Sequence, residues 1–434
     1  MKRPIDPRLD EVMQFLRHVT PLARTLVHPA NDETLRTLRE YLPAATVEAY
    51  PSGTPVWTWK IPNRWQVIES RIEDAATGRL LWDGASHPLA TVNYSLPFDG
   101  EIEPRALAPH LHSSSTRPAA IPFVFRFYNR DWGFCVPAAV RRRILQRKRL
   151  RVRIVTDEAP GELRVGALSL PGESPREFIL CTNICHPGIA NDSISGAAAA
   201  IAIARHLMAI PARRYSYRIL WLPETIGSVA YFAHHEELIG RAIGGLFIEM
   251  LGNRNSMCLQ HTRHGNTYWD LLATATFRDS GLRFREAAFL ESAANDEKVI
   301  DAPGVGIPTL SITRYPYPEY HTSDDNADLI DPARMRESID LVCRLIDRME
   351  ADYVPAYRSK GPVCLSEHGL YPDWYRNPGL KDRWLAFVKV MYALDRGRSV
   401  EQLAQELDVA ADIVRYWCDA FAAKGFLEKQ PLRW

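Results

Sequence analysis

Residues 177–210 read EFILCTNICHPGIANDSISGAAAAIAIARHLMAI, and how they are read decides the fold. EFILCTNI is an apolar run of strand length, and SGAAAAIAIARHLMAI is an alanine-rich run of helix length. The loop between them carries His186, Asn191 and Asp192. Polar groups in a buried loop need partners, and water is not the only candidate. The unpaired N–H groups at the start of the following helix are expected to hold the loop and its carboxylate.

The same alternation continues on both sides. RVRIVTDE, ELRVGALSLPG, YSYRILWLP, IGGLFIEM and GIPTLSITR read as strands. GSVAYFAHHEELI, NTYWDLLATATFRDSG and PARMRESIDLVCRLIDRME read as helices between them. Strands alternating with helices predict an α/β fold with a mixed, mostly parallel sheet and helices on both faces. Ligands of such folds sit at the strand C-terminal ends. Asp192 and His186 follow one strand, Glu224 a second and Glu249 a third; His321, in PEYHTSDDN, comes shortly after a fourth. Two histidines and three carboxylates converging on one edge are a donor set suited to Zn²⁺. Asp325, four residues past His321, is expected to orient that ring.

Outside this domain the texture changes. NDETLRTLREYL (31–42) predicts a helix capped by Asn31. Residues 49–125 hold short aromatic and β-branched runs broken by Pro, Gly and Asp, and predict an inserted β-rich domain. The main α/β domain is then 1–48 and 126–352. A Pro- and Gly-rich linker follows at 353–381, and a winged-helix-like domain occupies 382–434. In its last helix an apolar stripe is expected at Ile413, Tyr416, Trp417 and Ala420.

Composition narrows the function classes. The chain has 434 residues, 46% hydrophobic and 24% charged, with a net charge of +1. That balance gives no electrostatic footprint for nucleic acid or an anionic membrane. Residues 399–434 carry four basic against six acidic groups, a net −2 and the wrong sign for phosphate contacts. That segment is expected to serve assembly, with a homo-oligomer forming through it. The N-terminal residues hold no apolar stretch of signal-peptide or membrane-span length. Seven scattered cysteines without a C-x-x-C pair point to reduced thiols and a cytoplasmic location.

HPGIANDSISG, PETIGS and PEYHTSDD together resemble the zinc aminopeptidases that bind two adjacent metals, a superfamily that also holds glutaminyl cyclase. YPSGTPVWTWKIP, RDWGFC and YRILWLPETIGSVAYF carry a narrower resemblance, to bacterial aminopeptidase-like proteins with an inserted small domain and a C-terminal winged helix. The resemblance implies that Asp192 bridges two metals, with His186 on the first and His321 on the second. Glu249 stands where the family has an aspartate ligand, and Glu224 matches the general base. Thr225 replaces the carboxylate ligand of the second metal, which leaves one or two zinc ions and a ligand role for Glu224 both open. Asp296, Glu297 and Tyr320 are the candidates for holding a substrate with a free amino group. The activity implied is hydrolysis of an amide or peptide bond beside that group, on a small peptide or aminoacyl substrate. The alternatives are an amidase or deacylase acting on an amino-sugar or aminoacyl conjugate, and a metal-binding protein without catalysis.

Overall fold

The computed structural model describes residues 9–432. One compact unit takes the chain up to Asp270 together with Phe277–Cys343; a second takes Leu271–Thr276 and the chain from Arg344.

The first unit is built on an eight-stranded mixed sheet. Its order is Thr46–Pro51, Glu162–Leu170, Ser216–Leu222, Glu177–Asn183, Ala242–Ile248, Thr309–Thr313, Met257–Gln260, Phe284–Ala287. The four central strands, Ser216–Leu222 through Thr309–Thr313, run parallel. Their sequences are near-continuous apolar runs because helices cover both faces: every residue of Glu177–Asn183 is buried. The helix Gly196–Met208 packs against this sheet with Ala197–Ala200 fully buried. Gly196 opens it because a Cβ there would lie 2.3 Å from the Ile248 carbonyl oxygen. From Glu177–Asn183 the chain crosses to Ser216–Leu222 on one side, then to Ala242–Ile248 on the other. This reversal places a crevice at the C-terminal end of the central strand.

RVRIVTDE is a strand, as its sequence predicts, but not of the main sheet. Leu150–Ala159 pairs with Arg64–Asp74 and Phe98–Ile102 in a separate antiparallel four-stranded sheet, closed by Leu80–Asp83. Its alternation is the reason. Leu150, Val152 and Ile154 are buried while Arg151 and Arg153 between them are not, which suits a sheet with one wetted face.

The helix predicted over 31–42 spans Pro29–Tyr41 and starts earlier than expected. His28 is its cap, with Nδ1 accepting from the Ala30 N–H at 2.9 Å. Asn31 is turned inward instead and donates to the Thr25 carbonyl at 2.6 Å.

In the second unit Lys381–Met391, Val400–Leu407 and Ala411–Ala423 are helices, and Val354–Tyr357 pairs antiparallel with Leu427–Gln430. The buried stripe of the last helix is Val414, Trp417, Cys418 and Phe421, one position round from the expected one, and Tyr416 is exposed. Phe421 decides the rotation, since it packs with Phe387 and Trp417. Among the described residues no helix is long and apolar enough to cross a membrane, and all seven cysteines are free thiols.

Candidate metal centre and active site

The loop after Glu177–Asn183 brings His186 and Asp192 to the crevice, both almost fully buried. Glu224 lies two residues past Ser216–Leu222, and Glu249 directly follows Ala242–Ile248. His321 arrives from the loop after Thr309–Thr313. One carboxylate oxygen, Asp192 Oδ2, faces both rings, 3.1 Å from His321 Nε2 and 3.8 Å from His186 Nε2. Glu224 Oε2 approaches the same His186 nitrogen at 3.7 Å. Donor atoms of His186, Asp192 and His321 all lie within 4.8 Å of one another, a set able to hold a metal ion.

The surroundings support these groups in detail. Asp325 does not reach the His321 ring. Its carboxylate accepts from the backbone N–H of Asn191 at 2.6 Å and of Asp192 at 3.1 Å, and from the Tyr317 hydroxyl at 2.5 Å. These N–H groups belong to the turn before the helix, so Asp325 does there what the loop's own carboxylate was expected to do. Asp192 is thereby left free to face the histidines. Ser195 Oγ donates to the Asn191 carbonyl and accepts from Leu251 N–H at 2.9 Å, while Asn191 Oδ1 accepts from Gly252 N–H at 3.0 Å. The first loop is thus fastened to the Glu249 loop.

Tyr320 stacks on His321 with ring centroids 3.9 Å apart. Phe123 packs edge-on against both His186 and His321, at 5.3 and 5.2 Å. The buried Arg24 guanidinium donates to the carbonyls of His186, at 2.6 Å, and Ile189. Cys185 Sγ accepts from the Glu224 N–H at 3.2 Å, and burial pushes the Cys185 thiol well up. Thr225, Met250 and His321 all hold left-handed φ angles, of 63°, 52° and 55°. Such backbone costs about 1–3 kcal/mol per residue and gathers at working sites.

Asp296 and Glu297 are fully buried rather than facing open space. Asp296 accepts from Thr225 N–H at 3.0 Å and from the Ser228 hydroxyl; Glu297 accepts from Gln260 at 2.8 Å and from Asn295 N–H at 3.1 Å. Both therefore hold the loops that carry Glu224 and Asn295. Asn295 donates to Glu249 Oε1, a contact the sequence did not suggest.

The electrostatics are those of a site short of positive charge. Burial pushes the Glu249 carboxyl well up, and the neighbouring Asp192 and Glu224 carboxylates push it further. Burial raises Asp296 to about 7 and Asp325 to about 7. Burial lowers His186, against the pull of the Asp192 and Glu224 carboxylates, and so favours the neutral ring that can ligate. Burial opposes ionisation of Asp192 too, but His186 and His321 hold it below the ordinary range. Glu249 Oε2 is buried without a hydrogen-bond donor. A dication suits this donor set: two imidazoles, a carboxylate between them and further carboxyls around them.

The fold is that of the zinc aminopeptidases. A zinc aminopeptidase from Bacillus subtilis matches with a TM-score of 0.60 and 13% identity, over 80% of this chain and 96% of its own. A Clostridium acetobutylicum crystal structure, provisionally described as a peptidase, matches with a TM-score of 0.85 and 23% identity, over 97% of this chain and 96% of its own. The chain itself belongs to the family described as Domain of unknown function (DUF4910), whose model matches residues 13–352. A curated relative from Clostridium acetobutylicum, provisionally described as a polysaccharide biosynthesis protein with an aminopeptidase-like domain, is 26% identical over 366 residues, 83% of each chain.

Proposed function

We propose that the chain is a zinc-dependent hydrolase of an amide or peptide bond beside a free amino group, with one zinc held by His186, Asp192 and His321. The observation that carries this reading is the convergence of both histidines on the single oxygen Asp192 Oδ2. Thr225 in place of a carboxylate removes a ligand from any second position, and three protein ligands are the usual complement of a catalytic zinc. Zinc in such a site acts as a Lewis acid on a carbonyl and lowers the pKa of water.

Glu224 is the general base. It is the part-exposed carboxylate of the cluster, its Oε2 is near His186, and Lys298 Nζ lies 3.5 Å from its Oε1 and orients it. Glu224 takes the proton of the attacking water and returns it to the leaving amine, a contribution of roughly 10²–10⁴-fold. Asp325 and Asn295 act by holding Asp192 and Glu249 in place.

The test is Glu224→Gln assayed on aminoacyl naphthylamides alongside zinc content. The variant keeps its zinc and loses hydrolysis by roughly 10²-fold or more. Loss of zinc instead makes Glu224 a ligand, and full activity with full zinc removes it from both roles. The description of the Clostridium relative favours one second reading, an amidase or deacylase acting on an amino-sugar conjugate. Acetylated amino sugars in the same assay separate the two.

A further inference from the structure

Beside Glu224 opens a cleft of about 800 Å³, within the range of about 300–1,000 Å³ that suits a ligand larger than one side chain. Its floor is aliphatic, with Ile226, Val229 and Val299, and its wall is aromatic, with Trp57, Trp59 and Tyr128 among the lining residues. Trp57 and Trp59 come from a hairpin in which Pro55–Val56 pairs with Trp59–Lys60. Trp57 is the first of its two loop residues and has a φ of 50°. Glycine is the inexpensive residue at a left-handed loop position. This chain places there a tryptophan that is 40% exposed, and follows it with a second that is 39% exposed. Neither the backbone cost nor the exposed indole area helps the chain fold. Trp57 is nevertheless held: its Nε1 donates to Glu236 Oε1 at 2.9 Å. Trp59 meets Tyr128 edge to face at 5.5 Å.

We infer that this hairpin is a specificity element, which receives a large apolar, ring-bearing group of the substrate and places the scissile bond at Glu224. The inference rests on the hydrolase reading and names the substrate class of that same site. A sugar ring is the poorer occupant. Its hydroxyls need several hydrogen-bonding partners, whereas most of the lining is aliphatic or aromatic, Lys298 already donates to Glu224 and the Ala294 carbonyl, and Glu236 Oε1 accepts from Trp57. An aromatic ring needs only the faces and edges that the wall offers.

Binding of three primary amines to the full-length zinc protein, measured by calorimetry, tests this without any hydrolysis. The amines are 2-(2-naphthyl)ethylamine, ethylamine and glucosamine. The naphthyl compound is expected to bind at least about tenfold more tightly than ethylamine, and glucosamine no better than ethylamine. Trp57→Gly and Trp59→Ala should each remove most of that gain. Trp57→Gly should also keep or raise the thermal midpoint, because glycine relieves the left-handed backbone; a merely structural tryptophan would lower it. Tighter binding of glucosamine than of the naphthyl compound overturns the inference. So does a naphthyl preference that survives both substitutions. Loss of ring preference in a protein that binds zinc and hydrolyses amides defeats this inference alone. A protein with ring preference but no zinc or hydrolysis defeats the hydrolase reading alone.

Discussion

Asp325 shows how a single carboxylate can govern a site without facing it. Three donors converge on it, the successive backbone N–H groups of Asn191 and Asp192 and the hydroxyl of Tyr317. An amide there can accept on only one of its two atoms, so Asp325→Asn leaves at least one buried N–H opposed by an NH₂ group. We expect a loss of about 1–3 kcal/mol in urea unfolding and weaker zinc retention, because the Asp192 backbone is released. Unchanged stability and unchanged zinc would show that the Asp192 loop holds itself. In the sequence Asp325 is legible only as a carboxylate four residues from His321, and the natural guess is that it orients that ring. The actual partner lies more than a hundred residues away, a pairing that spacing cannot reveal. Arg24 and Phe123 are illegible for the same reason. An arginine in PLART and a phenylalanine in IPFVF have no pattern that points to carbonyls or imidazoles from distant loops. His186, Asp192, Glu224, Glu249 and His321 are legible because each follows a run apolar enough to be a central strand.

At the scale of elements, the clearest contrast lies between two segments that both read as strands of the main sheet. EFILCTNI has an uninterrupted apolar stretch over residues 178–181 and lies at the centre of the parallel sheet, with residues 177–183 all buried. RVRIVTDE alternates arginine with apolar residues, and that period of two assigns it to the smaller antiparallel sheet. Sequence order alone had grouped them. The cap of Pro29–Tyr41 gives an element-scale prediction. Burial, with help from Arg64, lowers His28 to about 4, and the neutral ring accepts the Ala30 N–H. The unfolded chain, with an ordinary value near ~6.5, binds the proton first as pH falls. Stability from this group is therefore full above about 6.5 and is lost progressively as pH drops towards about 4. His28→Asn keeps a capping acceptor with no charge to gain. Its urea midpoint should fall less than that of the parent between pH 7 and 4.5; an equal fall in both would place the acid sensitivity elsewhere.

For the whole molecule, the organising fact is the crevice at the end of four parallel strands, to which separate loops bring imidazoles and carboxylates. The aminopeptidase-like fold accounts for that placement, and three features within it bear on the proposed chemistry: threonine at position 225, glutamate at position 249, and an aromatic hairpin beside Glu224. The threonine, where the resemblance has a carboxylate, is the feature that favours one metal over two in the proposed site. The direct measurement is zinc per chain, by elemental analysis of protein purified without chelator, for the parent and for Asp192→Ala and His321→Ala. The account predicts one zinc per parent chain and little or none in either variant. Two zinc ions per parent chain, or a full complement retained by Asp192→Ala, would contradict it.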